Sequence, residues 1–160
     1  MLRIGEEASD FVLPDQTGHL VKLADMRGKW VVLWWFPLAG SDTCSIEGRG
    51  FAAVERDFAE LGVEVIGLSF DSPVNNAAFA ACEGIGFRLL SDVSTKVGQA
   101  YGAKRGAAEK FSSQPRRITY LVDPDGVIRR SYHVDSVEDH ARQVLTDLRS
   151  EMAIAEVNVQ

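Results

Sequence analysis

Apolar residues follow two distinct rhythms along the chain, and each predicts a different element. The segment KWVVLWWF at 29–36 is uninterruptedly apolar after its first residue, Lys29, and rich in β-branched and aromatic side chains. A run that short and uniform predicts a strand buried on both faces. VEVIGLSF at 63–70 predicts a second one. Between them the period changes. Phe51, Val54, Phe58 and Leu61 recur at three- and four-residue steps, predicting a helix from about residue 43 that Gly62 closes. Ser72 followed by Pro73 marks the start of another helix and Gly84 its stop. FRLLSD at 87–92 reads as a short strand and turn, and Val97 to Tyr101 as a helix ended by Gly102.

Two further patterns complete the order. DFVLPDQTGHLVKLADMRG predicts two short strands around a turn at Gly18, then a short polar segment. RRITYLV and VIRRSYHV flank Asp123-Pro124-Asp125-Gly126, a hairpin signal. Val137, Ala141, Val144, Leu145, Leu148 and Met152 line one face of a final helix, while the tail AIAEVNVQ carries a weaker pattern. A hairpin, then a central βαβ unit, then a hairpin and a helix predict an α/β fold with a mixed sheet. With 160 residues and no visible linker or repeat, one domain over 1–160 is expected.

Composition narrows the partners. Apolar residues make up 46% and charged residues 25%, the balance of a soluble globular protein. A formal net charge of −6 argues against nucleic acid or an anionic membrane as the main partner. No apolar run approaches a membrane span, and MLRIGEEASD has no signal core, so a cytoplasmic location is expected. Without CxxC or HExxH, and with His19, His133 and His140 scattered, no metal site is expected.

The two cysteines, Cys44 and Cys82, carry the candidate chemistry. A lone intracellular cysteine is ordinarily a small buried hydrophobe. Cys44, however, follows the polar loop Gly40-Ser41-Asp42-Thr43, past the carboxyl end of a central strand and at the start of a helix. Open α/β sheets place ligand sites there. The first helical turn offers unpaired N–H groups and the positive end of the macrodipole, which favour a thiolate. Ser41, Asp42 and Thr43 are candidate caps, and the Asp42 carboxylate would oppose a thiolate. A cation is therefore wanted. Lys29 and Arg49 are near in sequence, but Arg116 and Arg117 open a strand that would lie beside the central one.

FPLAGSDTC resembles the peroxiredoxin signature, with Pro37, Ser41 and Cys44 on its three fixed positions. IGEEASDFVLPDQTGHLVKLAD, FRLLSDVSTKVGQAYGAKR and RRITYLVDPDGVI resemble, in order, further segments of the bacterioferritin-comigratory (PrxQ-type) subgroup of the AhpC/TSA family. The resemblance implies a thioredoxin fold with an amino-terminal β-hairpin extension and a central mixed sheet flanked by helices. It implies thiol-dependent reduction of hydrogen peroxide and organic hydroperoxides, with no cofactor. Cys44 would be the peroxidatic cysteine, Ser41 a hydroxyl donor and Pro37 a shield. Arg117, with Arg116 as the adjacent alternative, would be the active-site arginine, and Glu47 a carboxylate that orients it. Ser9 stands where the family usually has proline, and Phe36 where many members have tyrosine.

Resolution of the oxidised thiol is open at this level. Many members of the subgroup carry a second cysteine five residues after the first; here that position is Arg49. Others place it near Phe79. Cys82 lies on that helix about two positions further on, a rotation of roughly 200° that would turn it toward the core. Resolution is thus expected either through a disulfide with Cys82 or through an outside thiol: thioredoxin, a glutaredoxin-like protein or a low-molecular-weight thiol. Gly48 and Gly50 either pack closely against a neighbour or make the helix start easy to unwind. The implied protein is a monomer or homodimer. Four rivals remain. A glutathione peroxidase-like enzyme would share the fold and the thiol chemistry, but its Gln and Trp motifs are not found here. A thioredoxin-like oxidoreductase would need CxxC. A Cys-His hydrolase would need His133 or His140 beside Cys44. The last is an inactive binding or chaperone-like module.

Overall fold

The computed structural model describes residues 1–159. Its strands are β1 (Val12–Pro14), β2 (Leu20–Lys22), β3 (Val31–Trp35), β4 (Glu64–Ser69), β5 (Arg88–Ser91), β6 (Ile118–Val122) and β7 (Ile128–His133). The helices are α1 (Asp42–Ala53), α2 (Glu55–Glu60), α3 (Pro73–Glu83), α4 (Lys96–Ala100) and α5 (His140–Val159). β1 and β2 form the amino-terminal hairpin, and a 3-10 turn spans Leu23–Met26. The other five strands form one sheet in the order β5-β4-β3-β6-β7. β3 runs parallel to β4, and β4 to β5, whereas β6 is antiparallel to both β3 and β7. This is the mixed sheet that the βαβ unit and hairpin predict, with the hairpin turning at Gly126 in the left-handed region (φ +84°).

Every residue of β3 is buried, because helices or the hairpin cover both faces. Its side chains alternate between two cores, as strand geometry requires. Val32, Trp34 and the following Phe36 pack with Phe51, Phe58, Phe79 and Val144 from α1, α2, α3 and α5. Val31, Leu33 and Trp35 pack with Phe11, Tyr101, Ile118 and Tyr120 on the other face.

Two elements depart from the expectation. The single helix expected from 43 to 62 is two helices, broken at Val54 (φ −111°, ψ 10°), whose N–H turns back to the Phe51 carbonyl at 3.2 Å. That tighter turn redirects the chain while Phe51 and Phe58 both stay fully buried. The last helix starts at His140, so buried Val137 lies in the segment before it, and the helix continues through the tail to Val159. No described helix is long and apolar enough to cross a membrane.

Candidate active site

β3 delivers the chain to Pro37, and a turn through Gly40 (φ +84°) leads into α1. Ser41 keeps extended backbone angles and caps the helix: its Oγ accepts the Cys44 N–H at 3.3 Å, and its carbonyl accepts the Ser45 N–H at 2.8 Å. Cys44 therefore sits in the first turn of α1, fully buried and with a free thiol. The cation comes from across the sheet. In the antiparallel register Trp35 faces Ile118, so Arg117, one residue earlier, lies past the carboxyl end of β3. Its Nη2 points at Cys44 Sγ, 3.5 Å away, while Nη1 donates to Glu47 Oε1 at 2.9 Å. Glu47 is three residues after Cys44, hence on the same helix face. Arg116 pairs with surface Glu109 at 2.5 Å and has no bond to Cys44 or Glu47, although it lines the hollow beside them.

Burial sets the electrostatics. It pushes the fully buried Glu47 carboxyl above the usual range, and the Arg117 charge and the Trp34 indole N–H pull it back. Both donors converge on Oε1, whereas Oε2 has no partner among the described residues. Burial also opposes the Arg117 charge, but Cys44 and Glu47 outweigh it and hold the guanidinium above its ordinary value. A hollow of about 480 Å³ opens beside this group. Pro37, Ser41 and Arg117 line it together with apolar Leu38 and Phe111 and with His133. The constellation suits a thiolate attacking a small electrophile whose leaving atom gains negative charge.

The AhpC/TSA family model matches residues 4–131. The chain belongs to the AhpC/TSA family. Peroxiredoxin Bcp of Escherichia coli K12 is 31% identical over 150 residues, covering 92% of this chain and 96% of its own. The crystal structure of peroxidoxin BcpB from Mycobacterium tuberculosis superposes with a TM-score of 0.85 at 30% identity, covering 94% of this chain and 98% of that one. A Xanthomonas campestris bacterioferritin comigratory protein, studied for its alkyl peroxide reduction activity, gives a TM-score of 0.81 at 26% identity over 88% of this chain and 91% of its own. The thioredoxin fold with its amino-terminal hairpin is thereby shown. The chain is a peroxiredoxin, a thiol-dependent peroxidase of the Bcp/PrxQ type, and the inactive binding module is not favoured.

Against that family background, Cys82 stands apart. It does not turn toward the core. Asn76, Phe79 and Ala80 form the buried stripe of α3, and Cys82, two residues past Ala80, lies about 200° round the helix and is exposed. It lines a separate hollow of about 380 Å³ with Ala39, Gly40 and Glu83. Glu83 ties α3 to α1 through Arg49 at 2.7 Å. That bond holds its carboxyl below the usual range, and the Ser45 and Cys82 side chains add to the effect.

The glycines differ from each other. A Cβ on Gly48 would meet Ile85 at 3.0 Å, Trp34 at 3.2 Å and Phe79 at 3.3 Å, so Gly48 is a close-packing residue. A Cβ on Gly50 would meet only Ala141, at 3.7 Å. Neither sequence-flagged histidine hydrogen-bonds Cys44. His140 is buried against Thr119 Oγ1 at 2.9 Å, and burial, then Arg117, pushes it down to about 4. His133 is exposed, 4.0 Å from Asp135. Trp34, expected only as part of a strand buried on both faces, also donates its indole N–H to Glu47, which the sequence did not reveal. The available signal is that a buried indole N–H seeks an acceptor.

Proposed function

We propose that Cys44 is the peroxidatic thiol of this peroxidase and that Arg117, Ser41, Pro37 and Glu47 complete its active site. The observation that carries the reading is Arg117, which bridges Cys44 Sγ and Glu47 Oε1 beside a capped helix start. The guanidinium and the first-turn N–H groups stabilise negative charge on sulfur. The thiolate attacks the hydroxyl oxygen of a hydroperoxide; the S–O bond forms as the O–O bond breaks. Both electrons of the O–O bond leave with the far oxygen, which takes a proton to become water or an alcohol. Arg117 and the helix N–H groups stabilise the charge shared by the two oxygens. Cys44 becomes a sulfenic acid. Ser41 supplies its hydroxyl to the same pocket, and Pro37 shields the sulfur from solvent.

A second thiol then condenses with the sulfenic acid, forming S–S and releasing water. That thiol is Cys82 or one from outside, and thioredoxin, a glutaredoxin-like protein or a low-molecular-weight thiol returns the enzyme to its reduced form. Because Cys44 is buried and Cys82 faces outward, the internal route requires the start of α1 to open. The substrate class is hydrogen peroxide and organic hydroperoxides, the latter in keeping with the alkyl peroxide reduction activity of the Xanthomonas relative. We further place this activity in one cytoplasmic domain over 1–160, acting as a monomer or homodimer.

Intact mass after one equivalent of peroxide tests the assignment. Loss of two hydrogens marks a Cys44–Cys82 disulfide, and gain of one oxygen on Cys44 marks a stable sulfenic acid awaiting an outside thiol. A doubled mass marks a bridge between chains. Oxidation that appears on Cys82 while Cys44 stays reduced would overturn the assignment.

A further inference from the structure

We propose that Trp34 is a positioning residue for peroxide reduction: its indole N–H fixes the Glu47 oxygen that orients Arg117 over Cys44. The inference rests on the Cys44–Arg117 reading above and deepens it.

The Trp34 ring packs among Phe36, Phe51, Phe79 and Phe87, and its six-membered ring faces the Cβ-free sides of Gly48 and Gly67. None of these apolar contacts uses the indole N–H. Only its N–H meets a polar atom, Glu47 Oε1. The adjacent Trp35 provides an internal comparison. It is equally buried on the other face of the sheet, and its indole N–H has no partner among the described residues. The fold therefore tolerates an unpaired indole N–H, and the pairing at Trp34 is specific to the Glu47 side.

The consequence follows from where the donors fall. Trp34 and Arg117 both donate to Oε1, and nothing described reaches Oε2. Charge on Glu47 thus depends on two donors against the pull of burial. A protonated Glu47 accepts less strongly and releases its grip on Arg117 Nη1, freeing the guanidinium to leave Sγ. Around Glu47 the other charged or titratable groups are few. Cys44 lies on the same helix, and Arg117 leads into β6. From α5 comes His140, which faces Arg117 and, more weakly, Asp147. α3 presents Phe79, with Ile85 just beyond it.

The test is the rate constant for Cys44 oxidation by hydrogen peroxide, measured by stopped flow from about pH 5 to about pH 9. Trp34→Phe removes the N–H and keeps an aromatic ring. Trp34→3-benzothienylalanine, installed at that codon alone, keeps the bicyclic shape, so a folding failure of the phenylalanine variant still leaves a reading. Both are expected to move the acid limb upward by about one pH unit, a roughly tenfold loss on that limb. Both recover to within about twofold of wild type at the alkaline end. In a Glu47→Gln background the same change at Trp34 should shift nothing. A loss equal at every pH, as packing damage gives, overturns the inference, and so does an unmoved limb. Cys44→Ser run alongside separates the two levels. If that variant keeps the rate, the site reading itself fails; if it abolishes the rate while Trp34 variants match wild type, only the Trp34 inference fails.

Discussion

Replacing Arg117 by lysine keeps the charge and removes the fork. The guanidinium spans two acceptors at once, Glu47 Oε1 at 2.9 Å and Cys44 Sγ at 3.5 Å, with only 14% of the side chain exposed. An ammonium is a point charge on a flexible stem and cannot hold both in one planar geometry. Buried Glu47 is the stronger attractor, so lysine would settle there and leave the sulfur. One charge-assisted hydrogen bond contributes about 1.5–3 kcal/mol, so Arg117→Lys should lower the rate constant for Cys44 oxidation by about 10- to 150-fold. Little of that is lost to solvent screening, because the pair is buried. The assay is stopped-flow tryptophan fluorescence at neutral pH, with intact mass confirming oxidation at Cys44. A rate within about threefold of wild type would mean that charge alone suffices. The bridging argument would then be wrong.

Four other outcomes follow from the same geometry. Gly50→Ala has room at 3.7 Å from Ala141, so it should stiffen α1 by about 1 kcal/mol and slow resolution while oxidation stays near wild type. Gly48→Ala should instead destabilise the fold by about 1–3 kcal/mol in urea titrations, because Ile85, Trp34 and Phe79 must give way; equal stability of the two variants contradicts this. Glu83→Gln unties α1 from α3. Arg49 is largely exposed, so the pair contributes about 0.5 kcal/mol, and its loss should speed sulfenic acid resolution about twofold; slower resolution would refute the tie. His140 is held down to about 4 from 6.5, so as pH falls below 6.5 the unfolded chain takes up a proton that the folded chain refuses. Stability should therefore drop by about 3 kcal/mol between about pH 6.5 and about pH 4. Unfolding curves of His140→Gln should lack that component, and identical pH slopes would count against it.

Strand β3 was legible because a continuous apolar run has one simple explanation, burial on both faces. The placement of Cys44 was equally legible, since a polar loop between a buried strand and a helical period can only lie at the sheet's carboxyl edge. The strand opening at Arg116 and Arg117 offered both guanidiniums to that edge, and only the family resemblance preferred Arg117; the register of β6 against β3 separates the two. The break at Val54 was not legible: Phe51, Val54, Phe58 and Leu61 keep the helical period across it, and periodicity carries no record of a single tightened turn. The outward turn of Cys82 was also hidden. A rotation counted from a resembling helix places a residue only if the buried stripe is known, and Asn76, a polar member of that stripe, gives no apolar signal. Trp34 exposed a different limit. Hydropathy reads indole as apolar, and its one donor becomes informative only when Glu47 is found beside it.

The central claim is that Cys44, held by Arg117 at the start of α1, is the thiol that reduces peroxide. Stopped-flow oxidation of the reduced wild-type protein, Cys44→Ser and Cys82→Ser by hydrogen peroxide tests it most directly. The account predicts that wild type and Cys82→Ser react at similar rates, both orders of magnitude faster than free cysteine. Cys44→Ser should fall to the rate of an ordinary thiol. Fast oxidation surviving in Cys44→Ser, or a wild-type rate no greater than that of free cysteine, would contradict it.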